Sequence, residues 1–261
     1  MDFHKIIKLW QEKQITSVSD LDNALEAFKV EFAYNSGKIE NDKITYSDTR
    51  EIFDSGRIVG YSGDTRAVFE QQNQKLCYEY LKHEIVKKTP ISVELIKEVQ
   101  KILTSGTYDE RRYIVNEERP GEFKRKDYVV GKDEIGAAPQ DVEPEMQDLV
   151  AEVQDYQGNK ILTLTAYFHC KFESIHPFAD GNGRTGRTMM NYLLMIHDYP
   201  PVVIYNEDKP LYIECLNKFD TLGEIDAMVK FLEYQITKTW LKYFERTQHK
   251  SSKTKLDGFL K

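Results

Sequence analysis

Four side chains in the run HPFADGNGRTGR, residues 176–187, could together act on a phosphate group. His176 is a titratable base, and Asp180 is a carboxylate suited to Mg²⁺, which commonly binds through one carboxylate and the phosphates of a nucleotide. Arg184 and Arg187 are three positions apart, so in a helix they project to one side and can reach successive phosphates. A base, a cation ligand and two guanidiniums are the groups that phosphoryl transfer requires.

The chain around these side chains is built to turn and then to begin a helix. Pro177 lacks an N–H and pushes His176 out of the helical region, so a preceding helix ends there. The Gly-Asn-Gly segment at 181–183 permits positive φ and close approach of a ligand, and the helix predicted from Arg184 onward would direct free N–H groups at an anion. The alternative is a capping turn with exposed arginines. Because two cations oppose the dipole at a helix N-terminus, the pattern favours a binding role.

This run resembles the Fic signature HPFx[DE]GNGRxxR, with every specified position present. The resemblance covers roughly residues 30–235 and implies a mainly α, Fic-type helical bundle with a short β-hairpin flap beside the active site. It also implies a protein adenylyltransferase that transfers AMP from ATP to a Ser, Thr or Tyr hydroxyl of a target protein, and to itself. The implied cofactor is Mg²⁺ or Mn²⁺.

The resemblance assigns a role to each matching residue of the run. His176 would be the general base for the target hydroxyl, Asp180 would hold the metal, and Phe178 would anchor the loop in the core. The nucleotide-binding residues would be Gly181, Asn182, Gly183, Arg184 and Arg187, with the two arginines on the β- and γ-phosphates.

An earlier segment, NSGKIENDKIT at residues 35–45, has two interpretations. By its residues alone, a helix ends at Gly37 and Glu40 lies in a solvated turn. The resemblance favours an inhibitory motif, [ST]xxxE[GN], which would comprise Ser36, Glu40 and Asn41. The Glu40 carboxylate would then pair with Arg187 and repel ATP. A glycine inside a helix costs roughly 1 kcal/mol, so Gly37 would make this segment easy to displace.

The helical period is lost between Gly106 and Gly136, where Tyr113–Val115 and the segment after Pro120 suggest extended structure joined by turns. A surface hairpin is one interpretation, with Lys124 and its basic neighbours keeping an edge soluble. The resemblance implies a flap that pairs with the target backbone, as an unpaired edge can. The docking residues would be Phe123, Lys124, Tyr128 and Val129.

Two residues of a later helix, Tyr212 and Asp220, match positions that contact the nucleoside in Fic proteins. Tyr212 would offer an aromatic face to adenine, and Asp220 would accept a hydrogen bond from a ribose hydroxyl. Without the resemblance, ordinary packing is the expected role of Tyr212. His169, seven residues before His176, is predicted to be a core histidine.

The elements that must position these residues are read from helical periodicity. Helices are predicted over residues 2–13, from Leu21 to Ser36, over 65–88, 92–106, 142–156 and 160–174, from 184 onward, and twice after Pro200-Pro201. The chain divides into N-terminal helices (1–55) with an inhibitory segment at about 30–41, a Fic core (56–245) and a mobile polar tail (246–261).

Composition limits the class of protein. A net charge of −7 over 261 residues disfavours non-specific nucleic-acid binding. Without a long apolar run or a leader pattern, the chain is expected to be cytoplasmic and without a membrane partner. The three cysteines are expected to be reduced core thiols. Zinc bound by His169, Cys170 and His176 matches no ligand spacing.

Three other functions stay open. With Glu40 as a base for water, the same site could remove AMP from a modified protein. Other nucleotide or phosphate groups could be transferred, because the motif specifies phosphate handling better than it specifies the leaving group. A nucleotide sensor without turnover is disfavoured, since a binder has no need of His176. A homodimer whose self-association releases Glu40 is a further hypothesis.

Overall fold

The computed structural model describes residues 2–40, 43–130 and 134–253, with the backbone alone at 129–130, 134–135 and 245–253. Helices dominate this part of the chain, as the predicted mainly α class requires. They are α1 Phe3–Gln11, α2 Val18–Ala24, α3 Phe28–Glu40, α4 Tyr46–Ser55, α5 Thr65–Lys87, α6 Val93–Thr104, α7 Pro139–Gln154, α8 Ile161–Ile175, α9 Asn182–Ile196, α10 Lys209–Leu222 and α11 Asp226–Lys253. A π-helical turn (Arg111–Val115), a 3₁₀ turn (Asn206–Asp208) and strands β1 (Val129–Val130) and β2 (Glu134–Ile135) complete the elements.

Capping side chains explain where several helices begin. At α2, the Ser17 Oγ accepts from the Asp20 N–H at 3.1 Å while the Asp20 carboxylate accepts from the Ser17 N–H at 2.9 Å. Thr45 and Asp48 make the same reciprocal pair at the start of α4. These capping boxes satisfy backbone donors that a helix end leaves unpaired, so each helix start is specified locally.

The centre of the molecule is the pair α8 and α9, which pack against each other. Side chains of both helices are fully buried, including Phe168, Phe172, Met189 and Leu193. α9 is buried almost all round, because α3, α5 and α6 also pack against it. The loop that joins α8 to α9 and the first turn of α9 carry the HPFADGNG residues, so two closely packed, buried helices position the candidate chemistry.

The predicted helix from Leu21 to Ser36 is instead two helices, because the chain turns between α2 and α3. The turn lets Leu25 and Phe28 both enter the core. At its other end, α3 continues past Gly37, where the sequence pattern alone predicted an end, to Glu40. A Cβ on Gly37 would lie 2.3 Å from Nε2 of Gln71, so the absence of a side chain allows α3 to lie close against α5.

The extended structure predicted at Tyr113–Val115 is wrong. These residues form the π-helical turn, in which the Asn116 N–H donates to the Arg111 carbonyl at 2.9 Å. The segment has no neighbouring strand among the described residues, so local bonds satisfy its backbone. Strands β1 and β2 pair antiparallel with Val129 opposite Ile135, and the predicted flap beside the active site stays a prediction.

At the C-terminal end, α11 extends across residue 245 to Lys253, and 254–261 lie outside the described residues. The predicted division into three regions stays a prediction. Cys77, Cys170 and Cys215 are buried free thiols, as expected. None of the helices within the described residues combines the length and apolar composition needed to cross a membrane, and the cytoplasmic location stays a prediction.

Candidate active site

The loop between α8 and α9 turns sharply at His176. His176 caps α8 in the left-handed region, with φ 51° and ψ 60°, and its N–H still donates to the Phe172 carbonyl at 3.0 Å. A non-glycine residue with positive φ is uncommon, and the next residue, Pro177, cannot continue the helix. The turn directs the imidazole away from the helix toward a neighbouring cavity.

Asn182 holds the loop together from inside. Its side chain is 3% exposed, accepts from the Phe178 N–H at 2.8 Å and donates to the Phe178 carbonyl at 2.7 Å. Phe178 itself is fully buried against the rings of Phe123 and Phe172, so it is a core anchor. The side chain of Asn182, predicted to face an anion, therefore lies within the loop framework and shapes the backbone.

The N-terminus of α9 and its two arginines form the positively charged end of the site. Gly181 precedes the helix with φ 81°, a conformation that favours glycine. Arg184 and Arg187 are 3% and 2% exposed at their side chains, so neither is a surface cation. Nε of Arg184 has no hydrogen-bond partner among the described residues. A buried guanidinium with an unused donor beside free helix N–H groups fits a phosphate ligand.

The Glu40 carboxylate reaches this end from α3. Its Oε1 accepts from Nη2 of Arg187 at 2.7 Å, while the Ser36 hydroxyl and carbonyl accept from the same guanidinium at 3.0 Å each. Desolvation opposes ionisation of Glu40, but the positive charges of Arg187 and Arg184 outweigh it and lower its pKa. Glu40 is therefore an anion that occupies Arg187. Asn41, the last predicted residue of this motif, lies outside the described residues.

The C-terminal turn of α3 is fixed against the site by the segment that leads into α10. Nζ of Lys209 donates to the Ile39 carbonyl at 2.6 Å, and the Asn206 N–H donates to Oδ1 of Asn35 at 3.1 Å. Lys209 satisfies a carbonyl that the helix end leaves unpaired. Glu40 is therefore held at Arg187 by tertiary contacts.

A cavity of about 290 Å³ lies where these elements meet. Its lining includes Glu40, Glu173, His176, Gly183, Arg187, Lys209, Tyr212 and Asp220. Burial and the nearby Lys124 charge lower the pKa of His176 to about 4, so its imidazole is neutral at neutral pH. A neutral imidazole at a cavity wall can accept a proton, as the predicted base must.

Tyr212 and Asp220 both line the cavity, but both already have partners. Oη of Tyr212 lies 2.7 Å from Nε2 of His169, and its ring stacks with those of His169 and Phe231. This geometry favours packing for Tyr212 over an open face for adenine. The Asp220 carboxylate accepts from the Ser174 hydroxyl. His169 is fully buried, as predicted for a core histidine.

Asp180 lies beside Arg184 with both carboxylate oxygens engaged. Its Oδ2 accepts from Nη2 of Arg66 at 2.6 Å, and its Oδ1 accepts from the Gly181 N–H at 2.9 Å. Within the described residues, no group of three His, Cys, Asp or Glu side chains could hold a metal. A single carboxylate beside a positively charged helix end fits a cation that brings nucleotide phosphates as its remaining ligands.

The predicted docking segment lies against the loop. The Lys124 N–H donates to the Pro177 carbonyl at 2.9 Å, and Phe123 packs on Phe178 with the ammonium of Lys97 4.0 Å above its ring. Lys124 is 2% exposed, so it does not solubilise an edge. The Tyr128 hydroxyl donates to Glu118 at 3.0 Å, and Val129 is the first residue of β1.

Sequence reasoning missed four charged residues of this region: Arg66, Glu70, Glu173 and Lys209. Glu173 lies three positions before His176 on α8, so helical spacing could have placed it at the same cavity. Burial raises its pKa to about 8, which makes it a neutral acid at neutral pH. The other three come from α5 and α10, and nothing in their local sequence points to the loop.

Comparison with known proteins agrees with this geometry. Residues 90–194 match the Fic/DOC family. Proteins named protein adenylyltransferase Fic from Drosophila mojavensis and Drosophila melanogaster are 28% and 29% identical over 87% and 84% of this chain. These matches cover 46% and 43% of the two fly proteins, so the chain spans about half the length of the curated relatives it matches.

Solved structures match the fold over nearly the whole chain. A Fic domain containing signaling protein from Bacteroides thetaiotaomicron is 25% identical, with a TM-score of 0.78 over 91% of this chain and 93% of that one. C. elegans Fic-1 is 20% identical, with a TM-score of 0.78 over 95% of this chain and 72% of that one. The signature loop lies within residues 90–194, the part of the chain that matches the Fic/DOC family, and the fold of the chain is similar to that of these Fic structures.

Proposed function

We propose that this chain transfers AMP from ATP to a hydroxyl side chain of a target protein, itself included, and that Glu40 restrains the transfer. The observation that carries the proposal is the meeting of His176, Arg187 and Glu40 at one cavity beside the N-terminus of α9. The curated relatives named protein adenylyltransferase support ATP as the co-substrate.

His176 is the general base of the proposed reaction. Because its pKa is lowered to about 4, the imidazole is neutral and can accept the proton of the target hydroxyl. The hydroxyl oxygen attacks the α-phosphorus of ATP, a new P–O bond forms, and the bond to pyrophosphate breaks. The proton stays on His176 until solvent removes it, and pyrophosphate carries away the negative charge.

The arginines and the helix end hold the departing phosphates. Arg184 and Arg187 are buried, so their attraction to phosphate is screened less than that of surface cations. The free N–H groups at the start of α9 add fixed donors. Asp180 would hold Mg²⁺ or Mn²⁺, which when bound supplies positive charge to the phosphates.

The target chain is proposed to align beside β1. The segment from Phe123 to Val129 is fastened to the loop by the Lys124–Pro177 backbone bond, so a strand added at β1 would place a side chain near His176. Ser, Thr and Tyr carry the hydroxyls that this reaction requires.

The restraint follows from the charge of Glu40. While its carboxylate accepts from Arg187, that guanidinium has one donor fewer for the γ-phosphate, and the two anions repel each other. A change in self-association that moves α3 would release the restraint, and a series of activity measurements across protein concentration tests this part.

One observation favours a second candidate function, removal of AMP from a modified protein. The Glu40 carboxylate lines the same cavity as His176, so it could take a proton from a water that attacks the phosphorus of the modified side chain; the bond to the side-chain oxygen breaks, and that oxygen takes a proton from solvent. Transfer of another nucleotide or phosphate group, and nucleotide sensing without turnover, are outcomes that the same experiment distinguishes.

The test is incubation with ATP labelled at the α- or the γ-phosphate, a divalent cation and a cell extract. The native chain is compared with Glu40→Gly and with Glu40→Gly carrying His176→Ala. We expect protein label from the α-phosphate alone, increased by the first change and abolished by the second. Label from the γ-phosphate would indicate a kinase-like reaction, and no label in any variant would contradict AMP transfer.

A further inference from the structure

Four charged side chains from three elements form a closed cluster beside the signature loop. Arg66 and Glu70 come from α5, Asp180 from the loop and Arg184 from α9. Arg66 contacts Asp180 at 2.6 Å and Glu70 at 3.0 Å, and Arg184 lies 3.1 Å from Glu70 and 3.5 Å from Asp180. Each carboxylate is thus shared by both guanidiniums.

Arg66 occupies the oxygen of Asp180 that a metal would need. Its Nη2 donates to Oδ2, whereas Oδ1 accepts from the Gly181 N–H, a bond internal to the loop. The loop bond is compatible with a metal on the other oxygen. The Arg66 bond is not, because a guanidinium and a divalent cation on one oxygen would repel each other strongly.

The backbone of Arg66 is fixed while its side chain is partly free. The Asp64 carboxylate caps α5 by accepting from the Arg66 N–H at 2.9 Å, and it also pairs with Lys43 at 2.9 Å. The Arg66 side chain is 34% exposed, whereas that of Glu70 is 6% exposed. The guanidinium can therefore leave Asp180 by rotating toward solvent while its Nε stays on Glu70.

We propose that Arg66 is an internal counter-ion that competes with the divalent cation for Asp180. It holds the carboxylate in the metal-free chain and withdraws when the cation arrives with its nucleotide. This inference rests on the proposed role of Asp180 as the metal ligand. Arg66 is a positioning residue, since it acts through Asp180 and touches neither the base nor the reacting phosphorus.

Metal affinity distinguishes competition by Arg66 from the alternative, in which Arg66 orients Asp180. If Arg66 served to orient Asp180 for the metal, its removal would weaken metal binding, because the carboxylate would lose its alignment. If it competes, its removal strengthens binding. The ion pair is partly exposed, so the expected gain is moderate, about three- to tenfold in affinity.

The test measures metal binding directly, without turnover. Mn²⁺ is titrated into the chain in the presence of a non-hydrolysable ATP analogue, and free Mn²⁺ is followed by electron paramagnetic resonance. All chains carry Glu40→Gly so that the nucleotide can enter. Arg66→Gln is compared with the parent, and Arg50→Gln is the matched control, because Arg50 makes the same i,i+4 helix ion pair, with Asp54, on the surface.

Competition predicts tighter Mn²⁺ binding by Arg66→Gln and no change for Arg50→Gln. Arg66→Lys should give an intermediate value, because it keeps the positive charge but lacks the planar fork of donors with which Arg66 holds Asp180. Equal or weaker binding by both Arg66 variants would overturn the inference, and circular dichroism establishes that each variant is folded. Asp180→Asn separates the two proposals. If it abolishes binding while the Arg66 variants show no gain, only the competition is wrong; if it leaves binding unchanged, the metal assignment is wrong as well.

Discussion

Glu40→Gln removes the charge of the carboxylate that occupies Arg187 and keeps the shape of the side chain and the helix propensity of α3. Three acceptors among the described residues bond to Arg187: the Ser36 hydroxyl and carbonyl at 3.0 Å each, and Oε1 of Glu40 at 2.7 Å. The substitution leaves the two Ser36 contacts in place, so the guanidinium stays oriented. Only its competition with phosphate changes.

The size of the effect follows from the exposure of the pair. The Arg187 side chain is 2% exposed, but that of Glu40 is 40% exposed. Solvent therefore screens the ion pair, and its interaction free energy is far below that of a fully buried pair. Charge-assisted bonds of this kind contribute about 1 to 2 kcal/mol. Because about 1.4 kcal/mol corresponds to a tenfold change, Glu40→Gln should tighten binding of an ATP analogue roughly five- to thirtyfold.

Isothermal titration calorimetry with a non-hydrolysable ATP analogue measures this change, and AMP provides an internal comparison. Arg187 is assigned to the terminal phosphate, which AMP lacks. The affinity for AMP should therefore change by less than about twofold. Glu26→Gln is the control for net charge, because it removes one exposed carboxylate from the N-terminal part of the chain. A gain below twofold for the ATP analogue, or an equal gain for AMP, would refute the assignment of Glu40 as the restraint.

Three further outcomes are expected. Burial raises the pKa of Glu173 from 4.5 to about 8, so between these values the folded chain keeps a proton that the unfolded chain releases. The free energy of unfolding therefore falls as pH rises, by roughly 1.4 kcal/mol per pH unit. Glu173→Gln should remove this fall, as measured by urea titrations at pH 5 and 8. Asn182→Ala leaves the buried N–H and carbonyl of Phe178 unpaired and should lower the free energy of unfolding by about 2 to 3 kcal/mol, whereas a loss under 0.5 kcal/mol would show that the loop does not depend on this side chain. In Glu40→Gly, kcat/KM for AMP transfer should stay level from pH 8 to about 5 and fall toward pH 4, because the pKa of His176 is lowered to about 4; a fall centred near 6.5 would mean that its burial has no effect.

The parts of the fold that local signals specify were predictable. The capping boxes at Ser17 and Thr45 start their helices locally, although no helix was predicted over Tyr46–Ser55, and the helices predicted at 65–88, 92–106 and 160–174 are present with ends shifted by a few residues. Phe178 was predicted to be buried and is. Such signals act between residues a few positions apart, so the sequence contains them in full.

The prediction from local signals failed where distant contacts decide the conformation. Gly37 marks a helix end by its own propensity, yet α3 continues to Glu40 because it packs closely on α5 and is capped by Lys209. Tyr113–Val115 have the composition of a strand but no partner among the described residues, and they form a helical turn instead.

For the site, the sequence by itself determined the inventory and the local geometry: a base at a forced turn, a glycine loop, and two arginines on one side of a helix start. Only the tertiary structure decided which partner each group has. It places Glu40 on Arg187, across 147 positions of the chain, and Arg66 on Asp180, across 114. Pairing at such separations depends on how helices pack, because local propensity carries no information about which distant charge will lie within reach.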